Sequence, residues 1–340
     1  MAPRVSMFGW SRIVLVAIGV LLPDLSNGFS FSNLKEKEVG RRRGEFSSFC
    51  ASPEYRVVFV EEFEGTKLNS STWSKSLGSA YVSQLRDAYG TEDNVWVENG
   101  TLVLRSKREV IHADGKTFNF TSGAISSKSK RSWDHGRVCI RAVLPGQNST
   151  DVGLSDGIWP AHWMMPEGDY CWPDGGEIDI MEMINADGEV RSTYHWSDYP
   201  EKNCSNDDHS LGGMLKCDNC TSSFHEYAIE WDGESYLAFF LDGHLIHNVT
   251  GLGSIYGNNT EAYDYGGLGG MSYSNASASS NHSLNGGDND KKAPFFSGAP
   301  FHVILNTAVG GGWPRPVTKK TVMPAYHIID YVVVSQKQKQ

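Results

Sequence analysis

No apolar run in the sequence is long enough to cross a bilayer as a helix. The longest, Ile13–Leu22, has ten residues, against the roughly 20 that a span requires. Positive charge is also short: 30 Lys and Arg stand against 40 Asp and Glu, for a net charge of −10. That balance argues against a nucleic-acid partner, which would call for a basic patch. No sustained helical periodicity and no internal repeat is present, so short strands must carry the fold. Cys217-Asp-Asn-Cys220 has the spacing of half a zinc site, but no second Cys or His pair completes it.

Glycine is plentiful at 36 residues, tryptophan numbers 10, and turn-forming residues are frequent. Such a composition points to a loop-rich all-β protein with flat apolar surfaces. At the N-terminus, Arg4 and Arg12 precede Ile13–Leu22, and small residues follow at Ser26 and Gly28. The pattern predicts a signal peptide over 1–27, with no membrane span once it is removed. Ten of the 19 asparagines lie in N-x-S/T sequons: Asn69, Asn99, Asn119, Asn148, Asn203, Asn219, Asn248, Asn258, Asn275 and Asn281. Serine and threonine frequency alone would place roughly one asparagine in six there. Together these features predict a secreted, N-glycosylated chain in the extracellular space or cell wall. The even set Cys50, Cys139, Cys171, Cys204, Cys217 and Cys220 then favours disulfides, with a loop staple in the cluster 204–220. Sequence alone sets neither the pairing nor an oligomeric state.

Residues 28–49 are polar and charged and read as a linker or propeptide. From 50 to 336, apolar segments alternate with turn signals. Asn99-Gly100 separates VWV (95–97) from TLVLR (101–105), and Asp242-Gly243 separates SYLAFFL (235–241) from HLIHNV (244–249); both are hairpin signatures. Further strands are expected at 56–60, 136–144, 226–231, 301–306 and 326–334. Residues 251–293, rich in Gly, Ser and Asn, are expected to be one long loop insertion, and 337–340 a polar tail. Many short strands with regular turns predict a sandwich of two antiparallel sheets.

The chemistry is concentrated in Glu177-Ile-Asp179-Ile-Met-Glu182. Side chains on a strand alternate between faces, so Glu177 and Asp179 share one face and Ile178 and Ile180 the other. Glu182 is out of phase by one residue. A β-bulge near Ile180 or Met181 would return it to the carboxylate face. Two glutamates so placed could approach to about 5 Å, the separation of a retaining glycosidase. Three carboxylates on one face repel, so at least one should hold its proton above the ordinary range, as a general acid requires.

This segment resembles glycoside hydrolase family 16 in its laminarinase-like branch, whose E-x-D-x-x-E signature it matches with the extra residue of the bulge. Segments at 58–73, 93–109, 121–130, 136–146, 157–167, 224–243, 301–314 and 328–336 are similar to the family in the same order. The resemblance implies a jelly-roll sandwich with a concave substrate cleft. It implies Glu177 as nucleophile, Asp179 as its assistant and Glu182 as acid/base. Trp159, Trp163, Trp172, His195, Asn306 and Trp313 match cleft positions. Indole faces stack on the C–H faces of sugars. Asp330 matches an acidic residue that holds a structural calcium in some relatives; no cofactor is required for the reaction. Ala124 stands where many relatives have arginine, and Ser83–Asp87 departs from the family's usual stretch.

The expected activity is retaining endo-hydrolysis of a β-glucan, with β-1,3 linkages first. The alternatives are a transglycosylase that remodels cell-wall glucan and a recognition protein that binds glucan without cleaving it. Retention of all three carboxylates argues against the latter.

Overall fold

The computed structural model describes residues 44–80, 82–147, 151, 153–197, 209–250, 253–256, 260–263, 282–283 and 296–338. Strands dominate them. The first eight are β1 (Tyr55–Glu61), β2 (Ser74–Lys75), β3 (Ala88–Gly90), β4 (Val95–Glu98), β5 (Thr101–Ala113), β6 (Lys116–Ser122), β7 (Ala124–Ser126) and β8 (Gly136–Val143). Then come β9 (Ile158–Pro166), β10 (Glu177–Glu182), β11 (Glu189–Trp196), β12 (His209–Lys216), β13 (His225–Trp231), β14 (Tyr236–Leu241) and β15 (His244–Thr250). The last five are β16 (Gly253–Tyr256), β17 (Thr260–Tyr263), β18 (His282–Ser283), β19 (Phe301–Val309) and β20 (Ala325–Lys337). A single helical turn, α1 (Val82–Leu85), precedes β3.

Two sheets form. The larger runs β18-β16-β15-β14-β13-β8-β20-β5-β6-β3, with β1 added to β20 and β4 to β5. The smaller runs β17-β12-β11-β10-β9-β19-β7-β2. Pairing is antiparallel except where β3 runs parallel to β6. Both expected hairpin turns have two successive left-handed residues, Asn99 (φ 53°) with Gly100 (φ 74°) and Asp242 (φ 51°) with Gly243 (φ 75°). That is the type I′ geometry, whose twist matches that of the flanking strands.

The inner faces of the sheets meet in one apolar core. Leu102, Leu104, Ile140 and Val332 of the larger sheet join Met164, Ile178, Ile180, Met181, Val303 and Leu305 of the smaller. Each such side chain contributes roughly 1.5–3 kcal/mol when fully buried. β20 is covered on both faces: Val332 and Val334 enter this core, and Tyr331 and Val333 enter a second cluster with Cys50, Cys139 and Ala228. Two buried faces explain why it reads as a continuous apolar run rather than an alternation.

Three expectations are revised. Residues 44–49 pack onto the larger sheet instead of forming linker: Phe46 meets Tyr331 edge-on at 5.4 Å and Phe49 meets Phe240 at 4.5 Å. The Cys50–Cys139 disulfide fixes this strap, and the Arg137 guanidinium lies over both Phe49 and Tyr55. The stretch 251–293 contributes β16 and β18 to the larger sheet and β17 to the smaller, where a plain loop was expected. Lys337, assigned to the tail, is the last residue of β20. The expected signal peptide and the rest of the linker lie outside the described residues.

Cys217 pairs with Cys220, and Cys171 is also disulfide-bonded. Among the described residues no cysteine is free.

Candidate active site

The register of β10 shows how three carboxylates reach one face. Against β11, Glu177 opposes His195 and Asp179 opposes Thr193, but the next partnered residue is Glu182, opposite Arg191. Against β9, Asp179 opposes Trp163 and Glu182 opposes Ala161, with the shift falling between Asp179 and Met181. The extra residue is thus where the alternation of the sequence required it. Ile178, Ile180 and Met181 all turn into the core, and Glu182 turns outward. Directly opposed residues share a face. Arg191, Glu182, Ala161, Asn306 and Ala124 therefore form one row across five strands of the smaller sheet.

Asp179 and Glu182 are buried, at 4% and 6% exposure, and Glu177 is partly so. Burial pushes Glu177 up from 4.5 to about 8, and the neighbouring Asp179 adds to the effect; the His195 ring and a hydrogen bond from Trp172 act in the opposite direction. Glu182 is raised well above its ordinary value by burial, then by Asp179 and Glu177, with the Trp159 hydrogen bond opposing. The indole donors are specific. Trp159 Nε1 donates to Glu182 Oε1 at 2.9 Å, and Trp172 Nε1 donates to Glu177 Oε2. His195 Nε2 lies 3.3 Å from Asp179 Oδ2. Both glutamates therefore hold their protons above the ordinary carboxylate range.

The other expected residues gather on the same face. Trp163 Nε1 donates to Asn306 Oδ1 at 2.7 Å, and Asn306 Nδ2 donates to the Gln84 carbonyl at 2.6 Å. Trp313 packs edge-on against Trp159 at 4.9 Å. Trp172, 46% exposed, tilts over His195 at 5.7 Å. Beyond Trp163 the face opens into a cavity of about 450 Å3, lined in part by Lys75, Gln84, Lys128, Trp163, Tyr170 and His302. Several of its residues gave no clear sign in the sequence. Tyr170, 47% exposed, could have been found from its spacing of two before Trp172. The Arg86 guanidinium lies 4.9 Å over the Trp159 ring. Arg86 reaches it from a left-handed backbone position (φ 56°), for which a non-glycine residue gives no sequence signal.

Asp330 is placed apart from this group. Its Oδ2 accepts from Arg141 Nη1 at 2.6 Å. A guanidinium beside the carboxylate repels a cation, and calcium needs several oxygen ligands, so this donor set does not fit the expected calcium. Among the described residues, the groupings of potential metal ligands are built around disulfide cysteines, which hold no thiolate to offer.

Residues 83–262 match the family described as glycosyl hydrolases family 16. The chain is 28% identical to the β-glucanase of Rhodothermus marinus over 298 residues, covering 83% of this chain and 86% of that protein. It is 28% identical to glucan endo-1,3-β-glucosidase A1 of Niallia circulans, covering 83% of this chain but 38% of that longer protein. The laminarinase catalytic domain of Thermotoga maritima superposes with a TM-score of 0.62 at 26% identity, over 84% of this chain and all of that one. The family match spans more than half of the chain, and the protein therefore belongs to glycosyl hydrolases family 16.

Proposed function

We propose that the protein is a retaining endo-glycosidase that hydrolyses β-glucan, acting on β-1,3 linkages outside the cell. The observation that carries this reading is the bulged strand β10, which aligns Glu177, Asp179 and Glu182 on one face of the smaller sheet. Glu177, in its ionised form, attacks the anomeric carbon while Glu182 gives its proton to the departing glycosidic oxygen. The C–O bond to the leaving sugar breaks as the bond to the Glu177 carboxylate forms. Glu182, now ionised, takes a proton from water, whose oxygen displaces Glu177 with a second inversion. Asp179, 3.3 Å from His195, lies beside both glutamates and helps hold the proton on Glu182. Trp159, Trp163 and Trp172 supply ring faces and edges for the sugars. The β-1,3 preference is supported by the laminarinase and endo-1,3-glucosidase likenesses above, and secretion by the sequons and disulfides.

The test is the release of reducing ends from soluble β-1,3-glucan by the secreted protein, with Glu177→Gln and Glu182→Gln alongside. Wild type should release them and both variants should not, and the first product should keep the β configuration by NMR. Undiminished release by Glu177→Gln would refute the assignment. Products longer than the substrate, formed at high oligosaccharide concentration, would instead identify a transglycosylase.

A further inference from the structure

The far half of the β5–β6 hairpin stands out from the rest of the larger sheet. Its turn is Asp114-Gly115, both left-handed (φ 55° and 70°). On β6, the parallel partner β3 covers only Phe120–Ser122. Among the described residues, Lys116–Asn119 has no strand on its outer side. An open edge of this kind is a template for pairing with another chain. The local sequence Phe118-Asn119-Phe120, aromatic and uncharged, is of the type that pairs readily. Opposite it, the β5 register skips from Arg108 to Ile111, so Glu109 and Val110 together face Asn119 across a bulge. Val110, at 59% exposure, is the most exposed large apolar side chain among the described residues. An open edge and an uncovered apolar residue thus coincide at one place.

That place is also a sequon. Asn119-Phe-Thr121 meets the acceptor pattern, and Asn119 is exposed. Thr121 is buried and donates to Glu109 Oε2 at 2.8 Å. Glycosylation acts on the chain before it folds, so the fold need only leave room at the asparagine. We infer that Asn119 carries an N-linked glycan whose role is to shield the open edge of β6 and Val110 from edge-to-edge association. A hydrated oligosaccharide rising from this position covers the face beside Val110 and crowds any chain that approaches the edge, as a lysine or proline does on other edges. Asn119 lies on the larger sheet, whereas the three carboxylates are carried by the smaller. The inference rests on the secretory route proposed above, but not on the activity.

The full chain, with its own N-terminus, should be expressed in secreting eukaryotic cells and its glycopeptides mapped by mass spectrometry. Asn119 should be occupied. Asn119→Gln should then form higher-mass species by light scattering at micromolar concentration, where exposed edges associate. Asn119→Lys, equally unglycosylated but charged, should match the wild type. Should Asn119→Gln fail to be secreted, enzymatic trimming of the folded wild-type glycan should produce the same association. Glycans at other sequons with none at Asn119 would overturn this inference alone; none at any sequon would overturn the secretory reading with it. An Asn119→Gln or trimmed protein as dispersed as the wild type, or an Asn119→Lys variant that associates, would also overturn it.

Discussion

The raised Glu177 should make the active strand a measurable drain on stability. Its folded value is about 8 against an ordinary 4.5. For an acid raised on folding, the stabilising contribution is complete below the unfolded value and is lost as pH rises through the folded one. Linkage over that interval gives a cost of about 1 kcal/mol at pH 5 and about 3 kcal/mol at pH 7. Glu177→Gln removes the titration. It keeps an oxygen to accept from Trp172 Nε1 and places an amide donor towards Asp179, which shares a hydrogen bond with Glu177. For a domain of this size about 3 kcal/mol corresponds to a rise in Tm of about 5 °C. Calorimetric or fluorescence melting of wild type and variant should therefore show a gain that is small at pH 5 and grows to pH 7, in a protein that no longer cleaves glucan. A gain independent of pH, or a variant no more stable than wild type at pH 7, would refute the assignment of a buried, proton-holding carboxyl to this position.

Trp172→Phe keeps a ring beside His195 but deletes the donor that favours ionised Glu177. The acid limb of kcat/KM should move to higher pH. With the indole half exposed the bond is worth about 1.5 kcal/mol, so activity below the limb should fall roughly tenfold; an unmoved limb would contradict the role. Asn306→Ala strands the Trp163 indole N–H and the Gln84 carbonyl in a buried place. It should cost about 1–3 kcal/mol for each group left unpaired, read as a lower denaturation midpoint, and an unchanged midpoint would show that water replaces the amide. On the acid side, burial lowers His162, and takes His247 and His327 to about 3 and His302 to about 4, from 6.5. Below 6.5 the unfolded chain binds protons that these four refuse when folded, so stability is lost as pH falls. Raised Glu177, Glu182 and Glu226 oppose them, but at pH 5 the four histidines outweigh the three glutamates. Melting temperature should therefore climb from pH 5 to about 6.5 and decline from there towards 8 as Glu177 ionises; a flat profile over the lower interval would show the histidines to be hydrated.

What was legible in the sequence follows from which physical constraints are local. Asn99-Gly100 and Asp242-Gly243 announce their hairpins because two successive left-handed residues are tolerated by few side chains. Asp114-Gly115 carries the same signal, but the charged residues Lys107–Glu109 of the preceding strand obscure the alternation beside it. The bulge in β10 was readable because period two leaves no other way to keep Ile178 and Ile180 inside and Glu182 with its partners. β9 was not readable as a strand from alternation. Its outer residues Trp159, Ala161 and Trp163 are as buried as its inner ones, His162 and Met164, and two prolines interrupt it. A floor strand under an aromatic layer loses the contrast on which alternation depends. The contacts that tune the site are less visible still. Arg86 over Trp159, the Gln84 carbonyl under Asn306 and the Arg141–Asp330 pair join residues 73, 222 and 189 positions apart. Each depends on where two distant strands or loops come to rest, and in Asp330 that resting place decides the matter: the same carboxylate that reads as a calcium ligand in sequence becomes, beside Arg141, half of an ion pair.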